Sequence, residues 1–265
     1  MPGIEQEVRI NGHSSPSYAA FQAKKNGMTK KLPSDSVINL DHGDPKMFEL
    51  YWQKMGDKCT VVISVWQSLS YFSDITNLCW FLQPELAEEI RRLHHLVAST
   101  ETEGRYIVVG TGSTQLFQAV LYALSSPDST ESINIISTVP YYSSYPTVTD
   151  LLNFGFYKWA GDAYMYKGDL PYIELVTSPN NPDGFIREMM VNRSGGKLIH
   201  DLAYYWPQYT LITTPTDHDL MLFTISKSTG HAGPPSPKAL VMLGHRQIMI
   251  SKISFMISCY SQDHV

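Results

Sequence analysis

Five short apolar runs, each stopping at a residue able to do chemistry, constrain the fold of this chain more than any other feature. They are Arg105–Val109, Ser132–Thr138, Tyr172–Val176, Lys197–His200 and Leu220–Ile225. Continuous apolar runs of strand length, rather than alternating ones, point to strands of a mostly parallel sheet covered on both faces. Between and before them lie helical patterns. Pro84–Val97 is the clearest, with Pro84 at its start, Glu85, Glu88 and Glu89 early and Arg91, Arg92, His94 and His95 late, an order that suits the helix dipole. Right-handed crossovers bring the carboxyl ends of parallel strands to one edge, where open α/β sheets keep their ligands. The expectation is an α/β protein with its chemistry along one rim.

The residues at the five ends differ in kind. After Val109 comes Gly110-Thr111-Gly112-Ser113-Thr114-Gln115, leading into a helix over Leu116–Leu124. A glycine turn before a helix start leaves backbone N–H groups outward, and Ser113 and Thr114 add hydroxyls, so this is an anion cradle by mechanism. It lacks the Gly-Lys-Ser/Thr of a P-loop and the third glycine of a dinucleotide fingerprint. The second run leads to Pro140-Tyr141-Tyr142-Ser143-Ser144-Tyr145, where Tyr141 is the tyrosine best placed to lie against a flat ring. The third ends in Ser178-Pro179-Asn180-Asn181-Pro182, a rigid turn carrying amides. The fourth ends in Asp201, a carboxylate that needs a cationic or N–H partner to offset its desolvation. The fifth ends in Ser226-Lys227. A lone Ser-Lys past a strand is ordinarily a solvated lysine; here an anion cradle, an amide, a carboxylate and an amine share one rim. Pyridoxal phosphate has a phosphate, a phenolate oxygen, a pyridinium nitrogen and an aldehyde to match them.

Composition excludes other classes. With 43% hydrophobic and 17% charged residues over 265 positions the chain is globular. A net charge of −5 without a basic run favours neither nucleic acid nor an anionic membrane. Cys59, Cys79 and Cys259 are widely spaced, which fits a reducing, cytoplasmic setting rather than a disulfide framework. Phe48, Tyr51 and Trp52 recur at helical spacing within Met47–Met55 and read as a packing stripe. Vicinal His94 and His95 cannot share a helix face, which argues against a metal site there.

Asn39-Leu40-Asp41-His42-Gly43-Asp44-Pro45, Ser70-Tyr71-Phe72-Ser73-Asp74, Val109 to Leu116, Ser178 to Gly184, His200 to Pro207 and Ser226 to Gly233, in that order, closely resemble the plant tryptophan aminotransferase-related proteins. These belong to the alliinase-like branch of fold-type I pyridoxal phosphate enzymes. The resemblance implies an L-tryptophan:pyruvate aminotransferase that makes indole-3-pyruvate, a step towards auxin, from an amino acid and a 2-oxo acid. Position by position, it makes Lys227 the Schiff-base lysine and the base that moves the Cα proton. Asp201 would keep the pyridine nitrogen protonated, and Asn181 and Tyr204 would hydrogen-bond the ring oxygen. Gly112, Ser113, Thr114 and Ser226 would hold the phosphate, Tyr141 would stack on the ring, and Tyr71 would reach the phosphate of a neighbouring subunit, implying a homodimer.

The resemblance divides the chain into a mobile leader over 1–36, a cofactor-binding large domain over 37–241 and a divergent tail over 242–265. The family's phosphate-binding arginine falls on Pro235, within Pro234-Pro235-Ser236-Pro237-Lys238. Losing a guanidinium–phosphate pair removes charge-assisted bonds of roughly 1.5–3 kcal/mol each, which weakens cofactor binding on the order of ten- to a few hundred-fold. The family's small C-terminal domain is largely missing, so the expectation is a retained cofactor site with little transaminase activity. Two other functions compete: a carbon–sulfur lyase of alliinase type, and an inactive truncated subunit that pairs with full-length relatives.

Overall fold

The computed structural model describes residues 46–59, 82–125, 131–151, 155–169, 171–232 and 240–244. The leader, Tyr71, the segment around Pro235 and the tail beyond residue 244 lie outside the described residues. In chain order the helices are α1 (Glu49–Met55), α2 (Pro84–Val97), α3 (Ser113–Leu124), α4 (Ser144–Leu151) and α5 (Ile225–Ser228). The strands are β1 (Tyr106–Gly110), β2 (Ile133–Ser137), β3 (Tyr157–Asp162), β4 (Tyr172–Thr177), β5 (Lys197–Asp201), β6 (Leu220–Thr224) and β7 (Leu240–Gly244).

All seven strands form one sheet in the order β1-β7-β6-β5-β4-β2-β3. The pairs β6–β5, β5–β4, β4–β2 and β2–β3 are parallel, while β7 runs antiparallel to both β6 and β1. Because β7 opposes both its neighbours, β1 points the same way as β6. The five runs expected from the sequence therefore all end at the same edge of the sheet. Strands β2, β4 and β6 are buried throughout, which is why each reads as an unbroken apolar run. Strand β3, Tyr-Lys-Trp-Ala-Gly-Asp, was not expected: it is an edge strand exposed at several positions, and its composition carries no apolar run. β7 carries regular structure up to Gly244, past the point where the tail begins on the sequence reading.

Helix α2 has the bounds its sequence predicts. Pro84 opens it, Ala98 closes it in the left-handed conformation at φ 51°, and Ala87, Ile90 and His94 form its buried face. His94 faces the core and His95 faces out. His94 Nδ1 lies 2.8 Å from Ser99 Oγ, and its ring stacks on Trp206 and meets the edge of Phe223. Burial pushes its pKa down to about 4, so it stays neutral in the core. Helix α3 begins at Ser113, three residues before the expected start, and is buried on nearly every side between β1 and the rest of one continuous core. The Phe48, Tyr51 and Trp52 stripe does not form a core face: α1 has no buried residue, and Tyr51 is 54% exposed.

Candidate active site

The anion end is built by β1 running into α3. Gly110 closes β1 where a Cβ would come within 2.8 Å of Gln115 Oε1 and 2.9 Å of Leu116 Cγ, so only glycine lets the helix start fold back against the strand. Gln115 Oε1 accepts the Thr111 N–H at 2.8 Å, and the first helical bond is Leu116 N–H to the Gly112 carbonyl at 3.2 Å. The N–H groups of Ser113, Thr114 and Gln115 precede that bond and have no partner within the helix. The early start of α3 puts Ser113 and Thr114 in its first turn, beside those N–H groups, where the dipole favours negative charge.

The two asparagines divide their work. Asn180 is buried and its Nδ2 donates to the Pro140 carbonyl at 2.8 Å and to Asp183 Oδ1 at 2.9 Å. Asp183 also pairs with Arg187 at 2.5 Å, locking the turn after β4. Asn181 is half-buried and its amide makes no hydrogen bond to the described residues. Asn181, the sequence candidate, is thus the amide still available to a ligand.

Asp201 ends β5, paired with Thr177 of β4 on one side and Leu222 of β6 on the other. Its Oδ1 accepts the Ala203 N–H at 3.1 Å and its Oδ2 accepts the hydroxyl of Tyr145 at 2.6 Å. Burial raises its pKa, and the Tyr145 and Ala203 bonds oppose the rise. The partner anticipated for this carboxylate proves to be a phenol together with a backbone N–H, with no cation among its bonds. Tyr145 was missed by sequence reasoning, which singled out Tyr141 from the same aromatic cluster; its spacing from Asp201 in sequence gave no signal.

Lys227 lies in α5, one turn that follows β6 without a break. Thr224 Oγ1 caps the turn by accepting the Ser226 N–H at 3.2 Å. Gln208 Nε2 donates to the carbonyls of Lys227 at 2.9 Å and Ser228 at 3.1 Å, and Trp52 Nε1 donates to the Thr229 carbonyl at 2.8 Å. Lys227 Nζ lies 5.2 Å from the ring centroid of Tyr204, three residues past Asp201. Burial raises the pKa of Tyr204, and the nearby charges of Tyr142 and Asp201 raise it further. Ser226 is half-buried at the same turn.

Tyr141 and Tyr142 part company. Tyr141 packs its ring edge against Trp159 of β3 at 4.9 Å, on the flank of the core. Tyr142 is 40% exposed, meets Tyr145 edge to face at 5.5 Å and acts electrostatically on Tyr204. The tyrosine of the cluster that bonds Asp201 is Tyr145, and Tyr142 lies against it. Asp201, Asn181, Tyr204, Ser226 and Lys227, with Gly112, Ser113 and Thr114 at α3, all stand on segments leaving the same sheet edge. A separate cleft lined by Asp169, Tyr172 and Arg193 lies at the other end of β4 and contains none of them.

These residues fit pyridoxal phosphate. A desolvated carboxylate bonded to neutral donors suits a ring N–H⁺, an unbonded amide suits a phenolate oxygen, an open helix start suits a phosphate and a primary amine suits an aldehyde.

Residues 38–259 match a family model described as allinase. Over 224 residues the chain is 66% identical to tryptophan aminotransferase-related protein 2 of Arabidopsis thaliana, covering 84% of this chain and 51% of that protein. It is 59% identical over 211 residues to tryptophan aminotransferase-related protein 1 of Oryza sativa subsp. japonica, covering 79% and 48% respectively. It is 38% identical over 208 residues to alliin lyase 1 of Allium sativum, covering 75% and 43%. The chain spans about half the length of the curated relatives it matches. Among solved structures, the aspartate aminotransferase of Rhizobium meliloti superposes with a TM-score of 0.55 at 17% identity, over 99% of this chain and 67% of that one. Bna3p of Saccharomyces cerevisiae, titled a putative kynurenine aminotransferase, does so with 0.54 at 12% identity, over 98% and 66%. At such identities the likeness is one of fold. The chain belongs to the alliinase-like family that includes the plant tryptophan aminotransferase-related proteins, built on the fold-type I scaffold of pyridoxal phosphate-dependent aminotransferases.

Proposed function

We propose that this chain binds pyridoxal phosphate and belongs to a protein that transaminates an aromatic L-amino acid, L-tryptophan with pyruvate to give indole-3-pyruvate. One observation carries the reading: a carboxylate, Asp201, and a lysine, Lys227, leave adjacent parallel strands at the same edge, and among the described residues the bonds to Asp201 come from a phenol and a backbone N–H. When bound, the cofactor supplies an electron sink that stabilises negative charge at the substrate Cα.

The chain's own groups do the rest. Asp201 holds the ring nitrogen protonated, and Asn181 and Tyr204 hold the ring oxygen. The α3 start, with Gly112, Ser113 and Thr114, and Ser226 from α5 bind the phosphate, and Lys227 moves the Cα proton. Tyr141, held by its T-shaped contact with Trp159, covers the ring. A homodimer, with Tyr71 reaching the partner site, and a cytoplasmic setting complete the proposal; no helix among the described residues is long and apolar enough to cross a membrane. The lyase reading draws on the alliin lyase relatives, yet 66% identity to an aminotransferase-related protein against 38% to a lyase favours transamination.

The cofactor proposal is tested by titrating purified protein with pyridoxal phosphate and following the absorbance of the lysine-bound cofactor. The band should form and should be absent in Lys227→Ala; a band of equal size in that variant overturns the assignment. Incubation with tryptophan and pyruvate, and separately with an S-alkyl cysteine sulfoxide, then separates indole-3-pyruvate formation from release of pyruvate by elimination.

A further inference from the structure

We infer that Tyr145 is a positioning residue for this site: with Thr177 behind it, its hydroxyl fixes the Asp201 carboxylate and keeps it an anion. The inference rests on the reading of Asp201 as the partner of the cofactor's ring nitrogen. Tyr145 is 4% exposed, on α4, and its ring packs against Phe117 of α3 and Tyr142. Its oxygen stands 2.6 Å from Asp201 Oδ2 and 2.6 Å from Thr177 Oγ1. A phenol has one proton. An ionised carboxylate only accepts, so the Tyr145 proton goes to Asp201 and the Thr177 hydroxyl donates in turn to Tyr145. The register fixes this chain of donors, since Thr177 and Asp201 are direct neighbours across β4 and β5.

The arrangement answers a specific difficulty. Asp201 is desolvated, and among the described residues its bonds come from neutral donors alone, so protonation would be its easiest escape, and a neutral carboxylic acid would no longer secure a protonated ring nitrogen. Two donors in series, polarised towards the carboxylate, oppose that escape. Tyr145 is a dependable donor because its own ionisation is suppressed by burial first and by the charge of Asp201 second. Among the described residues, the other titratable groups in this cluster are Tyr204, from the turn after β5, and Tyr142, from the turn before α4. Lys227 of α5 lies over the Tyr204 ring.

The test uses Tyr145→Phe, which removes only the hydroxyl, and Thr177→Val, one bond further out. In cofactor-free protein, the Asp201 carboxyl is titrated by carbon-13 NMR, with Asp201→Asn identifying its signal. Tyr145→Phe should raise the midpoint by about one pH unit, the scale of one charge-assisted hydrogen bond, and Thr177→Val by less in the same direction. In loaded protein, Tyr145→Phe should weaken pyridoxal phosphate binding about tenfold at neutral pH. It should leave unchanged the binding of an analogue with carbon in place of the ring nitrogen. An unmoved Asp201 midpoint in a folded Tyr145→Phe protein overturns the proposal, as does equal weakening for cofactor and analogue, which marks a packing role. Failure of the wild type to form a Lys227-dependent cofactor band instead overturns the cofactor reading, and the NMR titration judges Tyr145 independently of it.

Discussion

Glu174 in the middle of β4 and Asp201 at the end of β5 are inward-facing carboxylates on neighbouring strands, and the chain satisfies them differently. Glu174 is 1% exposed, and its two oxygens accept the backbone N–H groups of Met190 at 2.6 Å and Val191 at 2.9 Å. It staples the segment before β5 to the sheet, and burial still raises its pKa against those two bonds. Asp201 receives one backbone N–H and one phenol. Near the amino ends of β1 and β6, Arg105 is likewise closed off, bonded to the Asp217 carboxylate and the His218 carbonyl. Glu174 is thus closed by backbone donors, and Arg105 by a carboxylate and a carbonyl. At the rim Asp201 is met by one phenol and one backbone N–H, and on the proposed function that difference separates structural burial from a binding site.

The largest effect that could break this contrast is on stability. Glu174→Ala leaves the N–H groups of Met190 and Val191 without their acceptors in the interior and should cost about 2–4 kcal/mol in urea unfolding. Cofactor affinity per folded molecule should stay unchanged; a parallel loss of affinity would erase the distinction between the two carboxylates. Next in size, Pro235→Arg restores the guanidinium that the resemblance expects at the phosphate. It should tighten pyridoxal phosphate binding by about ten- to a hundred-fold in an absorbance titration. No tightening would mean that the α3 start and the hydroxyls already saturate the phosphate.

The smallest effect carries the clearest sign. Because the folded pKa of Asp201 is raised from 3.8, the native state holds a proton that the unfolded state has released, and stability falls as pH rises from about 3.8 through the folded value. Cofactor-free Asp201→Asn should therefore be more stable than wild type at neutral pH, as read by urea unfolding. The advantage should close as pH falls through the folded pKa and vanish below about 3.8. The same variant should bind cofactor more weakly, so stability and affinity move in opposite directions. A loss of both would place Asp201 with Glu174.

Strands β2, β4 and β6 were the most legible in the sequence, because full burial demands an unbroken apolar run. Edge strand β3 escaped, since Lys158 and Ala160 face solvent and nothing in the run marks a strand. At the site, the sequence supplied the residue types at each strand end, and Lys227, Asp201 and the turn into α3 leave the edge where they were expected. It could not divide work between neighbours. Asn180 is consumed by Pro140 and Asp183 while Asn181 makes no hydrogen bond to the described residues, and Tyr141 packs on Trp159 while Tyr145 bonds Asp201.

By itself, then, the sequence determined the five strands that carry the rim and which chemical groups end them, because hydrophobic runs and turn residues act over a few positions. Only the tertiary structure decided which side chains meet. The contact between Tyr145 and Asp201 joins residues 56 positions apart, and it exists because β5 lies beside β4 and the Tyr145 side chain reaches Thr177 and Asp201 at their ends. Strand order, which no local pattern encodes, sets that arrangement.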